Sequence, residues 1–321
     1  MAGPRVLITP RAFLDLDGEH KTILKQAGYE IVANPRPRIL TEDEMAAYVP
    51  GMEALIVGDD PVTHRVLDRA TGLKVISKFG TNVDNIDVDV AAARGIPVTV
   101  TPGVTYPAVA ELTIALMFAL LRGIPQMDRD IRGGKWSSVA GAELMGKMLG
   151  IVGMTGIGKE VAKRVLAMGM NVMAFDMHPD EVFAEYHGIE YVPADELLKN
   201  SDVISLHLDF NPDTKGWLSK MRVARMRPGS YLINTGRPEL IDEGAVLDAL
   251  RAQRIRAAAF DLPSDEAPFT VPLLSQENVL VSGNAGSNTE ESVLRQAVMA
   301  AENVVAVLNG KPRLAALASI D

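Results

Sequence analysis

Several groups of residues in this chain are of types that can do chemistry together. The first is Leu149-Gly150-Ile151-Val152-Gly153-Met154-Thr155-Gly156-Ile157-Gly158, followed by a helical stretch and then Asn171-Val172-Met173-Ala174-Phe175-Asp176. A strand ending at Gly153, a tight turn and a helix start bring backbone N–H groups and the positive end of a helix dipole to one point, which suits a pyrophosphate. Asp176 stands eighteen positions after Gly158 at the end of the next apolar run, where a carboxylate accepts from a ribose 2′-OH. An acid there repels a 2′-phosphate, so the expected cofactor is NAD, held by Gly153, Thr155, Gly156, Ile157, Gly158 and Asp176. The second glycine of G-x-G-x-x-G is replaced by Thr155, so a β-branched residue must be accommodated where backbone usually approaches phosphate. Further along, Arg237 follows another apolar run, and a guanidinium at a strand end can fork onto a carboxylate, although a surface arginine is the plainer reading. Phe260-Asp261 ends a later run and Glu266 comes five positions on; either acid reads equally as a solvated loop charge.

These residues need elements that aim them. Apolar runs at 6–9, 30–32, 54–57, 74–77 and 97–100 alternate with helix-like stretches, and a second series covers 148–153, 172–176, 203–207, 231–234, 257–261 and 279–282. Alternation of this kind implies an α/β fold with two doubly wound parallel sheets, helices on both faces of each. The expected helix after Gly153 carries Ile157, Val161, Val165 and Met168 on one face and ends at Gly169. Thr101-Pro102-Gly103 is a turn signal leading into an apolar helix over 108–121, and a last helix over 290–308 has apolar spacing at Val293, Ala297, Ala300, Val304 and Leu308. Residues 1–101 with 287–321 then form one domain and 102–286 the other, with a hinge at the crossings and the active site in the cleft beyond the carboxyl ends of the strands.

At 321 residues and 47% hydrophobic content, two cores are expected. A formal charge of −9 without any basic run argues against nucleic acid or an anionic membrane as partner. There is no cysteine, which excludes disulfides, thiolate metal sites and cysteine nucleophiles and is compatible with a reducing, cytoplasmic location; the five histidines show no metal-ligand spacing. The apolar helix over 108–121 falls short of the roughly 20 residues that span a bilayer and reads as a core helix. The methionines read as adaptable core filler.

In combination the pattern resembles the NAD-dependent D-isomer-specific 2-hydroxyacid dehydrogenase family over nearly the whole chain. The likeness is carried by Phe79-Gly80-Thr81-Asn82-Val83-Asp84-Asn85-Ile86-Asp87, Thr101-Pro102-Gly103, Ala108-Val109-Ala110-Glu111-Leu112, the nucleotide turn, Ile233-Asn234-Thr235-Gly236-Arg237, and Pro272-Leu273-Leu274 through Asn278-Val279. The resemblance implies a flavodoxin-like substrate domain, a Rossmann NAD-binding domain, a small carboxylate substrate and a homodimer formed through the nucleotide domain. It implies that Arg237 holds the substrate's carboxylate and carbonyl, that Asp261 binds the nicotinamide carboxamide, and that Glu266 is the glutamate that pairs with a catalytic histidine. The loop carrying Thr81 and Asn82 offers backbone N–H groups to the carboxylate, with Asn82 in place of the usual glycine. Thr235 and His207 are implied at the cofactor, the latter within a His-x-Pro pattern whose proline is Asp209 here, and Trp136 matches a packing feature.

One departure bears on the reaction. The position of the catalytic histidine, eighteen after Glu266 and five before Thr289, holds Asn284, and His207 is the last histidine in the chain. An amide donates a hydrogen bond but no proton at ordinary pH, and general acid catalysis is worth roughly 10²–10⁴-fold. Glu266, without an imidazolium opposite it, is one replacement donor and a bound water another; Lys78 and Tyr106 adjoin the expected cleft loops, against the plainer readings of a solvated cation and a packing residue. Asn284 itself can polarise the carbonyl through its N–H. The expected activity is hydride transfer between NAD(H) and a 2-oxo or 2-hydroxy acid; the alternative is an NAD(H)-binding sensor of little or no activity on the same fold.

Overall fold

Short aliphatic runs form a first sheet of five parallel strands: β1 (Arg5–Ile8), β2 (Glu30–Ala33), β3 (Ala54–Val57), β4 (Val75–Lys78) and β5 (Val98–Thr99), in the order β2-β1-β3-β4-β5. Ala54–Val57 is buried along its whole length, as a central parallel strand covered on both faces requires. The structure, a computed structural model, describes residues 3–262 and 269–310. The chain divides into two compact units, one made of residues up to Thr105 with those from Thr289 onward, the other of Tyr106–Asn288.

In the first unit the Glu290–Leu308 helix lays Val293, Ala297, Ala300 and Val304 onto β4 and the Glu19–Gln26 helix. Thr289 caps it by accepting the Ser292 N–H at 3.1 Å, and the small alanines let it approach closely enough for Ser77 Oγ to donate to the Ala300 carbonyl at 3.1 Å. The second unit holds a sheet of seven parallel strands: β6 (Met148–Val152), β7 (Asn171–Phe175), β8 (Glu190–Tyr191), β9 (Val203–Leu206), β10 (Ser230–Asn234), β11 (Ile255–Leu262) and β12 (Val279–Gly283). Their order is β12-β11-β10-β9-β6-β7-β8, so the chain winds outward from β6 through β8 and then returns to the other side of β6 at β9. The reversal between β6 and β9 is a topological switch point, where open α/β sheets bind ligands.

The sheet positions and most strand spans match the sequence reading, with corrections. The edge strand β8 lies outside the expected runs: it is only two residues long, and Glu190 is exposed. The apolar helix runs Tyr106–Arg122, has eight buried residues, Ala108 to Leu121, and packs against the Gly156–Ala167 helix, β10 and β11. No single helix among the described residues is long and apolar enough to cross a membrane. Met168 lies just beyond the Gly156–Ala167 helix and is exposed, so it does not share the buried face of Val161 and Val165. Trp136 is 87% exposed and packs into neither core, and Met145, Met177 and Met221 are exposed rather than core filler.

Candidate functional site

The dinucleotide turn is built at the switch point. β6 ends at Val152, and Gly153 takes φ +93, a conformation few side chains tolerate. An added Cβ at Gly153 would lie 2.5 Å from the Leu208 nitrogen, because the backbone leaving β9 passes directly against it. A Cβ at Gly158 would lie 2.3 Å from the Gly153 carbonyl oxygen, so the helix starts hard against the turn. Thr155 solves the problem of its own β-branch: at φ −72 and ψ −170 its hydroxyl donates to the His207 carbonyl at 3.1 Å, tying the turn to the end of β9. With that hydroxyl used, no side chain caps the first N–H groups of the Gly156–Ala167 helix. Tight backbone, a twelve-residue helix and an uncapped N-terminus are what a pyrophosphate needs. Ile157, half-buried in the first turn, packs against the core beneath.

Asp176 follows β7, half-buried, and one of its oxygens accepts the His178 N–H at 2.9 Å. Asp209, beyond the end of β9, has its carboxyl raised above the usual value by loss of surrounding water and by the charge of Asp176. His207 is 4% exposed; its Nε2 lies 2.8 Å from Ser205 Oγ, and its Nδ1 is buried without a partner. Burial holds its pKa at about 3, so the ring is neutral and supplies no proton to a reaction at ordinary pH.

Past β10, Asn234 shapes the turn: its Oδ1 accepts the Gly236 N–H at 3.0 Å and its Nδ2 donates to the Arg237 carbonyl at 3.0 Å. Thr113 Oγ1 donates to Val109, so at 3.0 Å it accepts from the Thr235 hydroxyl. The Arg237 guanidinium forks onto Glu239, at 2.9 and 3.3 Å, and lies 5.2 Å over the Phe210 ring. That pairing draws the Glu239 carboxyl below its usual value. Sequence reasoning does not reach Glu239 or Phe210; the place of Glu239 two residues after Arg237 is a signal only once the turn is known.

Asp261, near the end of β11, organises the turn that carries Asn284. Its Oδ1 accepts Ser282 Oγ at 2.8 Å and the Ala285 N–H at 2.9 Å, and its Oδ2 accepts the Gly286 N–H at 2.9 Å. Asn284 sits at the apex, exposed, at φ +50, a left-handed conformation that Asn tolerates better than most residues. Glu266 lies outside the described residues. Thus Gly153, Thr155, Gly156, Ile157, Gly158 and His207 are brought together, Asp261 and Asn284 form a second cluster, and Asp176, Thr235 and Arg237 stand at strand ends of the same sheet.

In the other unit, Thr81 and Asn82 are exposed in the loop after β4. Asn82 does not take a positive φ, so replacing glycine costs no backbone strain there, and its Oδ1 accepts the Asp84 N–H at 2.8 Å. Lys78 is a correction: it is 3% exposed, not solvated, and its Nζ donates to the Gly58 carbonyl at 2.6 Å and to Asp59 and Asn85 at 3.0 Å each. An ammonium has three N–H bonds, and all are used, so Lys78 is an anchor for the loop rather than a proton source.

Residues 114–285 match the model of the D-isomer specific 2-hydroxyacid dehydrogenase NAD binding domain. The chain belongs to the D-isomer specific 2-hydroxyacid dehydrogenase family. Among relatives of this family, a D-3-phosphoglycerate dehydrogenase of Methanocaldococcus jannaschii is 37% identical over 293 residues, covering 90% of this chain and 55% of that protein. The chain therefore spans about half the length of the phosphoglycerate dehydrogenases it matches. A hydroxypyruvate reductase of Thermotoga maritima is 36% identical, covering 83% of this chain and 88% of that one. The crystal structure of the TT0316 protein from Thermus thermophilus matches with a TM-score of 0.88 at 35% identity, over 98% of this chain and all of that one. The dinucleotide turn lies within the residues that match the family's NAD binding domain.

Proposed function

We propose that this protein is an oxidoreductase that interconverts a small 2-oxo acid and its 2-hydroxy acid, with residues 102–286 as its NAD-binding domain and residues 1–101 with 287–321 as its substrate domain. The observation that carries the reading is Arg237, a forked cation leaving β10 in the same sheet whose β6 and β9 carry the dinucleotide turn. The fork holds Glu239 in this structure, a pairing that a substrate carboxylate would share or displace. The names of the relatives, a phosphoglycerate dehydrogenase and a hydroxypyruvate reductase, point to the same class of small acid.

Bound NADH supplies the hydride. Arg237 binds the substrate carboxylate and draws electron density from the carbonyl, and Thr81 and Asn82 take the carboxylate-binding part that the family resemblance gives their loop. Asp261, already holding the Ala285 and Gly286 N–H groups, keeps the Asn284 turn in place, and a lone pair on Oδ2 serves the nicotinamide carboxamide. Thr235 and His207 line the cofactor side, and Asp176 selects the unphosphorylated ribose. The Asn284 amide N–H polarises the carbonyl. As hydride adds to the carbonyl carbon, the C=O pair moves onto oxygen, which takes a proton from the Glu266 carboxyl; solvent reprotonates the carboxylate. The chemistry above disfavours Lys78, His207 and Asn284 as that donor, so Glu266 is proposed, with a bound water as the alternative.

Turnover is measured by NADH absorbance with a panel of 2-oxo acids, and Glu266→Gln removes a titrating step from the pH profile of kcat/KM. An unchanged profile assigns the proton to water. Tight NADH binding with no turnover of any acid supports the second reading, a sensor of NAD(H), which the amide at position 284 favours. A homodimer in the cytoplasm, acting on neither nucleic acid nor membrane, is part of the proposal; a monomer mass by light scattering removes the dimer.

A further inference from the structure

The first residue of the Gly156–Ala167 helix has no side chain, and the space a side chain would take is filled by Tyr106. A Cβ built on Gly156 would lie 1.9 Å from Tyr106 Cε2, 2.2 Å from Cδ2 and 2.5 Å from Cζ. Contacts that short cannot be relieved by a small shift of a rigid ring, so the glycine and the tyrosine require each other. The ring edge on Gly156 runs from Cδ2 to Cζ, and the hydroxyl is one bond beyond Cζ. It therefore lies close to the first residue of the helix, whose N-terminus no side chain caps.

Two further facts single this hydroxyl out. Thr155, the only hydroxyl within the turn, is turned away onto the His207 carbonyl. Among the described residues nothing hydrogen-bonds the Tyr106 hydroxyl, although the ring around it is packed and half-buried. An oriented phenol beside a helix N-terminus complements a phosphate oxygen, because an O–H donor adds a directed bond to those of the backbone N–H groups.

We propose that Tyr106 is a cofactor-binding residue whose hydroxyl donates to the pyrophosphate of bound NAD, and that Gly156 is retained to admit its ring. This rests on the nucleotide site described above and adds a side-chain ligand to it. The residue positions cofactor; it takes no part in the hydride or proton steps.

The test is binding by the whole protein, followed by NADH fluorescence and by calorimetry with ADP and with adenosine. Tyr106→Phe keeps the ring on Gly156 and removes only the hydroxyl. It weakens NADH and ADP about tenfold, the usual size of one hydrogen bond to a charged acceptor, and leaves adenosine, which has no phosphate, unchanged. Gly156→Ala displaces the ring and weakens NADH at least as much; in the double variant Tyr106→Ala/Gly156→Ala the two losses are less than additive. Equal NADH affinity in wild type and Tyr106→Phe, an equal loss for adenosine, or additive losses in the double variant overturns the proposal. Wild-type protein that binds no NADH, ADP or adenosine overturns the nucleotide site itself, a result distinct from any of these.

Discussion

Arg237 shows how much a single residue's chemistry depends on its setting. Its guanidinium is oriented before any substrate arrives, by two bonds to the Glu239 carboxylate and by the Phe210 ring 5.2 Å away. A lysine at this position keeps the charge but loses the paired donors. Arg237→Lys is expected to lower kcat/KM for the 2-oxo acid by between about tenfold and a hundredfold, the worth of one hydrogen bond to a charged group, while NADH affinity stays the same. Steady-state kinetics with a parallel fluorescence titration separates the two; an unchanged kcat/KM would take Arg237 out of the substrate site. At this scale a residue's type can suggest its chemistry, as with Arg237, Asp176 and the glycine turn. Chemistry that lies in a contact between residues far apart in the chain carries no such signal. Tyr106 lies against Gly156, fifty positions on, and Thr155 spends its hydroxyl on a carbonyl leaving another strand. Glu266, the proposed proton donor, lies outside the described residues and keeps its sequence assignment alone.

Strands were the easiest elements to read, because a parallel strand covered on both faces is apolar throughout, as Ala54–Val57 is. The strand β8 escaped because two residues on a sheet edge, one of them an exposed glutamate, carry no such signature. β4 was read correctly in place but not in its last residue. A lysine at a strand end suggests solvent, and only the fold brings Gly58, Asp59 and Asn85 around it. Those bonds hold the start of the 80–87 loop, which Asn85 secures further by donating to the Gly58 and Asp60 carbonyls. Lys78→Met keeps the apolar stem and removes all three donors, so the half-buried Asn85 Oδ1 loses its bond while the Gly58 carbonyl keeps the one from Asn85. The expected loss is about 1–3 kcal/mol, seen as a lower urea midpoint. Asp59→Asn should change stability by less than about 0.5 kcal/mol, since Asp59 is 76% exposed and water screens its pairing with Lys78. Comparable losses in both variants would show that the ion pair, rather than the buried hydrogen bonds, holds the loop.

Across the whole molecule, each unit holds a histidine whose protonated form burial disfavours. His20 in the first donates through Nε2 to the Phe13 carbonyl at 3.0 Å, with Nδ1 buried and unpartnered, and burial lowers its pKa. His207 in the second is lowered to about 3 by burial alone. The unfolded chain binds the His207 proton near pH 6.5 and the folded chain only near pH 3, so stability rises with pH between the two values, and the lowered His20 acts in the same direction. It is full above about pH 6.5 and is lost as pH falls toward 3. Carboxylates such as Glu44, held at about 2 by Arg38, also withdraw stability in acid, but only once the pH falls below the ordinary carboxylate value of 4.5. Between pH 5 and pH 6.5 the histidines set this slope, opposed by Asp209, whose raised carboxyl takes up a proton more readily in the folded chain. His207 contributes a slope of up to about 1.4 kcal/mol per pH unit in that window, or about 1.6 kcal/mol across it. His207→Gln has no proton to gain and is expected to lose that share of the slope: relative to wild type it becomes more stable as pH falls from 6.5 to 5, whatever its offset at pH 7. Urea unfolding at several pH values measures this directly. Parallel curves for the two proteins would mean that His207 takes up its proton in the folded state as readily as in the unfolded one, and the buried neutral ring beside the nucleotide turn would have to be abandoned.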